Sequence, residues 1–213
     1  MNPAPRLYQL LLAVWLVTSC QSVSEFGKPE RRSVSAEFHQ KVGLYVHEET
    51  GQIAYYGSAA TDISDLMLYH LQTTLPSLTQ EALQEVFDQV EMAEVGKEAE
   101  PKIAFKTPDL AGYFEIRISK IRYDYPETGL SSYRAEVQLT VEFKTLAHEK
   151  VWSDVFEGHG LGFSSSDLRL TDFGKGSAAA LEEAFQEAVD EVEDGVVKAD
   201  ALREHLRTQQ ASS

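Results

Sequence analysis

A single cysteine, Cys20, is all that 213 residues contain. No intramolecular disulfide can form, and no cysteine-based zinc site can be assembled. Proline and glycine are modest, at 7 and 13, and no segment is low-complexity, which excludes a collagen-like chain and a wholly disordered one. Positive charge is scarce: 19 Lys and Arg face 34 Asp and Glu, for a formal charge of −15. A field of that sign repels nucleic-acid phosphate, and the one basic cluster near the start is Lys28, Arg31 and Arg32, so nucleic acid is not expected as a partner. Long apolar runs are missing too. The longest, residues 7–17, has 11 positions broken only by Gln9, whereas a spanning helix needs about 20. What remains is 43% hydrophobic and 10% aromatic residues in a length that suits one globular core.

The position of the cysteine carries information. Residues 1–6 hold one Arg, the apolar run follows with the length of a secretory core segment, and it ends in Val17, Thr18, Ser19 and Cys20. That tetrad resembles the bacterial lipobox. A plain secretory signal ending in a stray Cys is the alternative, and the placement of the one Cys directly after a small-residue cleavage site favours the lipobox. The resemblance implies that Val17, Thr18 and Ser19 are read by the lipoprotein signal peptidase, that residues 1–19 are removed, and that Cys20 carries a covalent lipid, with no other cofactor. Removing residues 1–19, which hold one Arg and no acid, leaves 18 basic against 34 acidic groups, or −16. Gln21 stands where an Asp would retain an enterobacterial lipoprotein in the inner membrane, so the resemblance implies the periplasmic face of the outer membrane. Residues 20–39 are polar, of mixed charge and without apolar periodicity, which reads as a lipidated Cys followed by a flexible tether. A single domain is expected over residues 40–208, with a disordered tail at 209–213.

Within the domain, residues 41–47 alternate as a strand, residues 48–51 form a turn, and residues 52–56 read as a hairpin partner or an irregular loop. Thr61 and Asp62 cap an apolar helical stripe through Leu75 that Pro76 should stop; Ser77 and Gln80 have capping-box spacing for a second helix through Phe87, with a strand from Val90 and a charged loop at 94–102. Residues 113–125 alternate and then change phase, which predicts a bulge near Ser119 and Lys120. After turn chemistry at 126–129, Tyr133, Ala135, Val137, Leu139, Val141 and Phe143 alternate without a fault against polar residues, as a half-buried antiparallel strand does. Residues 150–158 set Val151 and Val155 against Trp152 and Phe156, so both faces of that strand should be covered. Residues 177–207 read as one long amphipathic helix that Gly195 caps or kinks. The predicted fold class is α+β: a mainly antiparallel sheet of four or five strands packed with an N-terminal helical segment and a long C-terminal helix.

Strand, helix, strand, meander of long strands and C-terminal helix, carried by residues 41–46, 87–90, 113–119, 133–143 and 149–152, resemble a group of periplasmic lipoproteins. The group includes the auxiliary lipoproteins of ABC-type envelope transporters, the YajG-like lipoproteins and the LPS-assembly lipoprotein. It implies a binding role in an envelope protein complex, of lipid transport or outer-membrane assembly. A charge of −16 argues against binding lipopolysaccharide, whose phosphates call for basic residues.

Catalytic signatures are absent or accidental. Asp172, Phe173 and Gly174 spell a kinase triplet without the motifs that surround it, Gly174 and Lys175 are followed by Gly176 rather than Ser or Thr, and residues 158–162 lack the spacing of a dinucleotide loop and read as a flexible strand exit. The six histidines are scattered, and His47 beside Glu48 and Glu49 is expected to be a solvated turn rather than a metal site. The expectation is a non-catalytic binding subunit. Its alternative is a periplasmic enzyme with a hydrolase-type site assembled from dispersed residues. Two candidate partner surfaces stand out: Tyr123 and Tyr125 beside the 126–129 turn, and the acidic helix face at Glu183, Glu187 and Asp190, which otherwise is a solvated face.

Overall fold

Among the described residues, alternation and periodicity place eleven elements: β1 (Phe38–Val46), β2 (Gln52–Tyr56), α1 (Ser64–Val86), β3 (Phe87–Met92), β4 (Glu94–Val95), β5 (Ile103–Ala104), β6 (Tyr113–Asp124), β7 (Ser132–Lys144), β8 (Lys150–Phe163), α2 (Phe173–Lys198) and α3 (Asp200–Ser212). The structure is a computed structural model that describes residues 37–47, 52–56, 64–95, 103–124, 132–163 and 173–212. These fall in one unit, Val34–Ser213. Cys20 with Val17, Thr18 and Ser19, the segment to residue 36, Tyr125, the caps Thr61 and Asp62 and the turns at 48–51 and 126–129 lie outside the described residues.

Period-two alternation decides the centre. β7 buries Tyr133, Ala135, Val137, Leu139, Val141 and Phe143 on one face and pairs antiparallel with β6 and β8. The predicted bulge is present: the β6–β7 register slips between Ile118 and Lys120, so Ile118 and Ile121 both reach the core, and Ser119 Oγ donates to the Gln138 carbonyl at 3.1 Å.

The first half of the sheet is parallel. β1 pairs with both β3 and β6, and the sheet path runs β3-β1-β6-β7-β8. β2 also pairs parallel with β6, from Gln52 opposite Lys120 to Tyr56 opposite Asp124. It is therefore neither a hairpin partner nor an irregular loop but a second stretch of strand along the same edge of β6. Val46 faces Ile116 and Gln52 faces Lys120, six positions against four, so the two registers are offset by two residues. The fold is α+β, with its longest registers in the antiparallel β6–β7–β8 meander.

Three helical expectations are corrected. Pro76 does not stop a helix: α1 continues through it to Val86, and β3 begins at once with Phe87. Leu75, beside the proline, is buried with Ala82, Leu83 and Val86, and this packed stripe outweighs the local cost of the ring. Hydroxyls beside it bond back to the preceding turn, Ser77 Oγ to the Thr74 carbonyl and Thr79 Oγ1 to the Leu75 carbonyl, both at 2.8 Å. Gly195 does not cap α2, which runs on to Lys198, and a side chain there would strike the Phe156 ring. The break falls at Ala199, whose carbonyl accepts the Arg203 amide at 3.0 Å to open α3. α3 runs to Ser212, so residues 209–212 are helical rather than a disordered tail, and β1 begins at Phe38 inside the expected tether.

Candidate functional site

β8 is an edge strand, and α2 lies on it through a ladder of small residues. A Cβ added at Gly158 would overlap the Ala184 carbonyl, and one at Gly160 the Ala180 carbonyl. Four residues of helix rise about 6 Å and two residues of strand about 6.7 Å, so the ladder stays in step over a helical turn. The same ratio places Glu183 and Glu187, one turn apart, over alternate amides that face away from β7. Glu183 Oε2 accepts the Leu161 amide at 2.7 Å, and Glu187 Oε2 accepts the His159 amide at 2.5 Å. Asp154 Oδ1 takes the Val155 amide at 2.8 Å. An exposed edge is a template for unwanted pairing, and three carboxylates take the Val155, His159 and Leu161 amides along it. The glycine run at 158–162 is thus strand built for a close helix, not a flexible exit.

This changes the candidate partner surfaces. Glu183 and Glu187 stay exposed, and one oxygen of each is held by a β8 amide. Asp190 stays exposed and accepts Gln186 Nε2 at 2.7 Å. Tyr123 is only 2% exposed and packs in the core near Tyr133, with ring centroids 6.5 Å apart, so it presents no contact surface. The phase change after Ser119 turns Tyr123 inward, along with Ile121. β8 departs from expectation as well: Phe156 is buried under α2, but Val155 is 55% and Leu161 52% exposed, so its outer face is uncovered there.

The outer face of the sheet, polar by its alternation, carries an ionic network. His47 Nε2 lies 2.7 Å from Glu115 Oε1, and Lys144 Nζ donates to Glu115 Oε2 at 2.6 Å and Glu142 Oε2 at 3.0 Å. Burial alone would raise the Glu115 carboxyl, but the bonds from Lys144 and His47 outweigh it and hold the group below its ordinary range. Glu142 is also held low, burial again being overcome by Lys144 and then Lys150. Burial would lower Lys144, and its two carboxylates raise it instead. Next to the network Tyr113 OH meets His148 Nδ1 at 2.8 Å, with His148 in the left-handed region at φ 65° in the tight turn between β7 and β8.

Chemically, His47 and Glu115 form the base and orienting carboxylate of a possible triad, but among the described residues neither is bonded to a hydroxyl. Glu48 and Glu49 lie outside the described residues, and among those described no three His, Cys, Asp or Glu side chains are placed to hold a metal ion. The signal for the network was available in the run Glu136, Gln138, Thr140, Glu142, Lys144. What no single strand shows is that Glu115 faces Glu142 across the β6–β7 register.

No family model matches the chain, and no curated protein matches it. Among solved structures, a Xanthomonas campestris protein of family DUF330 is 15% identical, with 85% of this chain and 95% of that one covered and a TM-score of 0.42. The PelC dodecamer of Paraburkholderia phytofirmans is 14% identical over 74% of this chain and 90% of its own, with a TM-score of 0.34. A minor lipoprotein of Acinetobacter baumannii is 8% identical over 73% and 94%, with a TM-score of 0.29. Likenesses at these scores carry no argument about function.

Proposed function

We propose that this chain is a lipid-anchored accessory subunit on the periplasmic face of the outer membrane, binding an envelope protein complex of lipid transport or outer-membrane assembly and performing no chemistry itself. The observation that carries the reading is the lone Cys20 set directly behind Val17, Thr18 and Ser19 at the end of an 11-residue apolar run. Several acyl chains at about 0.8 kcal/mol per buried methylene make such an anchor effectively permanent. One feature of the fold supports a role without chemistry: His47 is held by a carboxylate already occupied with Lys144. Metabolic labelling with a fatty acid tests the anchor. The wild type takes label and Cys20→Ala does not; equal labelling, or none in either, sinks the reading. Crosslinking in cells followed by pull-down from solubilised membranes then tests the partner.

The hydrolase-type alternative attaches to one arrangement, His47 with Glu115. Turnover of an ester or amide substrate by the purified protein, abolished in His47→Ala and retained in Cys20→Ala, would replace the binding reading with it.

A further inference from the structure

Where 34 acids outnumber 19 bases, cations have carboxylates to spare. Their distribution is uneven. Between residues 182 and 194 α2 carries seven carboxylates and no cation. On the outer face of β6 and β7, beyond the Glu115 network, the order reverses: Arg117, Lys120, Arg122 and Arg134 face only Asp124 and Glu136. Lys120 is bonded to Glu136 at 2.7 Å, and Arg122 Nε lies 3.4 Å from Asp124. Arg117 and Arg134 are exposed, and among the described residues neither has an ion-pair partner. Arg134 stands directly across the ladder from Asp124 and still does not bond it. Next to this stripe, on β8, Glu157 is held by Gln138, while Val155 and Leu161 offer exposed apolar surface opposite Thr140 and Arg134.

We infer that this outer sheet face, centred on Arg117 and Arg134, is the docking surface for an acidic protein partner. The inference rests on the accessory-subunit reading and names its contact. Charge complementarity selects the occupant: unpaired guanidinium forks in an otherwise acidic chain match carboxylates, and flanking aliphatic side chains suit a protein surface. The anchoring bilayer is the other anionic surface within reach of the domain, and the mixed-micelle arm of the test below separates it from a protein partner.

The test uses the mature lipidated protein in nonionic detergent, with a synthetic Glu-rich peptide as probe. Binding is followed by anisotropy in low and high salt. The expected result is saturable, salt-sensitive binding that Arg117→Glu with Arg134→Glu weakens at least about tenfold, while Lys41→Glu with Lys198→Glu, the same change of net charge elsewhere, leaves it unchanged. Circular dichroism establishes that both double variants are folded. Equal loss in both, no binding at low salt, or a preference for mixed micelles of phosphatidylglycerol that depends on the same arginines overturns the proposal. So does self-association that depends on those arginines, since the occupant would then be a second copy. In cells, a crosslinked partner retained by the Arg117→Glu, Arg134→Glu protein overturns the surface and leaves the accessory reading standing. Peptide binding with no partner recovered from the wild type does the reverse.

Discussion

Glu183 and Glu187 on α2 and Glu115 and Glu142 on the outer face of the sheet belong to one acidic chain, yet they answer different donors. The helix pair takes backbone amides of the β8 edge, which are fixed in place and cannot titrate. The sheet pair takes Lys144, a mobile point charge shared between two carboxylates that face each other across the ladder. Formal charge therefore says little about how much acid is available at the surface. Backbone-bound carboxylates resist salt and depend on the helix lying close to the strand, whereas the lysine-bound pair depends on charge and is open to screening.

The first way to break the helix side is to push α2 off β8. In Gly160→Val the new side chain overlaps the Ala180 carbonyl, which a backbone atom can relieve only by moving the helix. The expected loss is about 3 kcal/mol or more, read as a large fall in the thermal midpoint by calorimetry, with both edge hydrogen bonds lost together. A value under about 1 kcal/mol would mean that α2 tolerates displacement and the glycine ladder is not required.

Breaking the sheet side comes second. Lys144→Met leaves Glu115 and Glu142 opposed and part-buried, and should cost about 2 kcal/mol by denaturant unfolding, short of a fully buried pair because the side chain is 19% exposed. Adding Glu115→Gln should recover part of that loss, a coupling that independent sites would not show. The pH dependence sharpens the contrast. Glu115 and Glu142 are held below their ordinary range, so their contribution is full above the unfolded value of about 4.3 and is lost as pH falls through the folded values. Lys144 is held above its range, so its contribution is full below about 10.4 and is lost as pH rises through the folded value. Lys144→Met should accordingly flatten the acid limb of stability between about pH 5 and pH 2, measured as unfolding midpoint against pH. An unchanged acid limb would place the pH sensitivity elsewhere.

These two regions differ in how much of them was legible. β7 was readable residue by residue, because a half-buried strand writes its environment into every second position, and the bulge at Ser119 appeared as a phase change. Tyr123 beside a turn has the amphipathic side chain of a contact residue, but the same phase change carries it into the core. Pro76 marks a helix end by propensity alone, and what carries α1 through it is tertiary packing that holds Leu75 and Leu83 in one stripe. Glu183 and Glu187 looked like any solvated carboxylates at helical spacing. Their partners are amides of a strand more than 20 residues earlier, and the clue was two features read apart, glycines alternating at 158 and 160 and alanines four apart at 180 and 184. The parallel pairing of β1 and β2 with β6 left no local signature, since it is set by what lies beside a strand rather than within it.

The smallest expected effects separate bound from unbound acids on the same helix. Glu187→Ala removes the acceptor of the His159 amide, but water can replace it at an exposed edge, so the cost should be about 1 kcal/mol rather than that of a buried orphan. Hydrogen exchange localises it: the His159 amide should exchange faster in Glu187→Ala and the Leu161 amide, held by Glu183, should change less. Glu187→Gln keeps an acceptor oxygen and should restore much of the protection. Asp190→Ala, three positions on, loses only an exposed bond from Gln186 one turn back and should stay within about 0.5 kcal/mol with no change at either β8 amide. Equal protection losses in Glu187→Ala and Asp190→Ala would mean that helix charge as a whole, and not a carboxylate seated on the strand, shields the edge. In that case the helix face would again be free acid, and the distinction between the two carboxylate sets would rest on Lys144 alone.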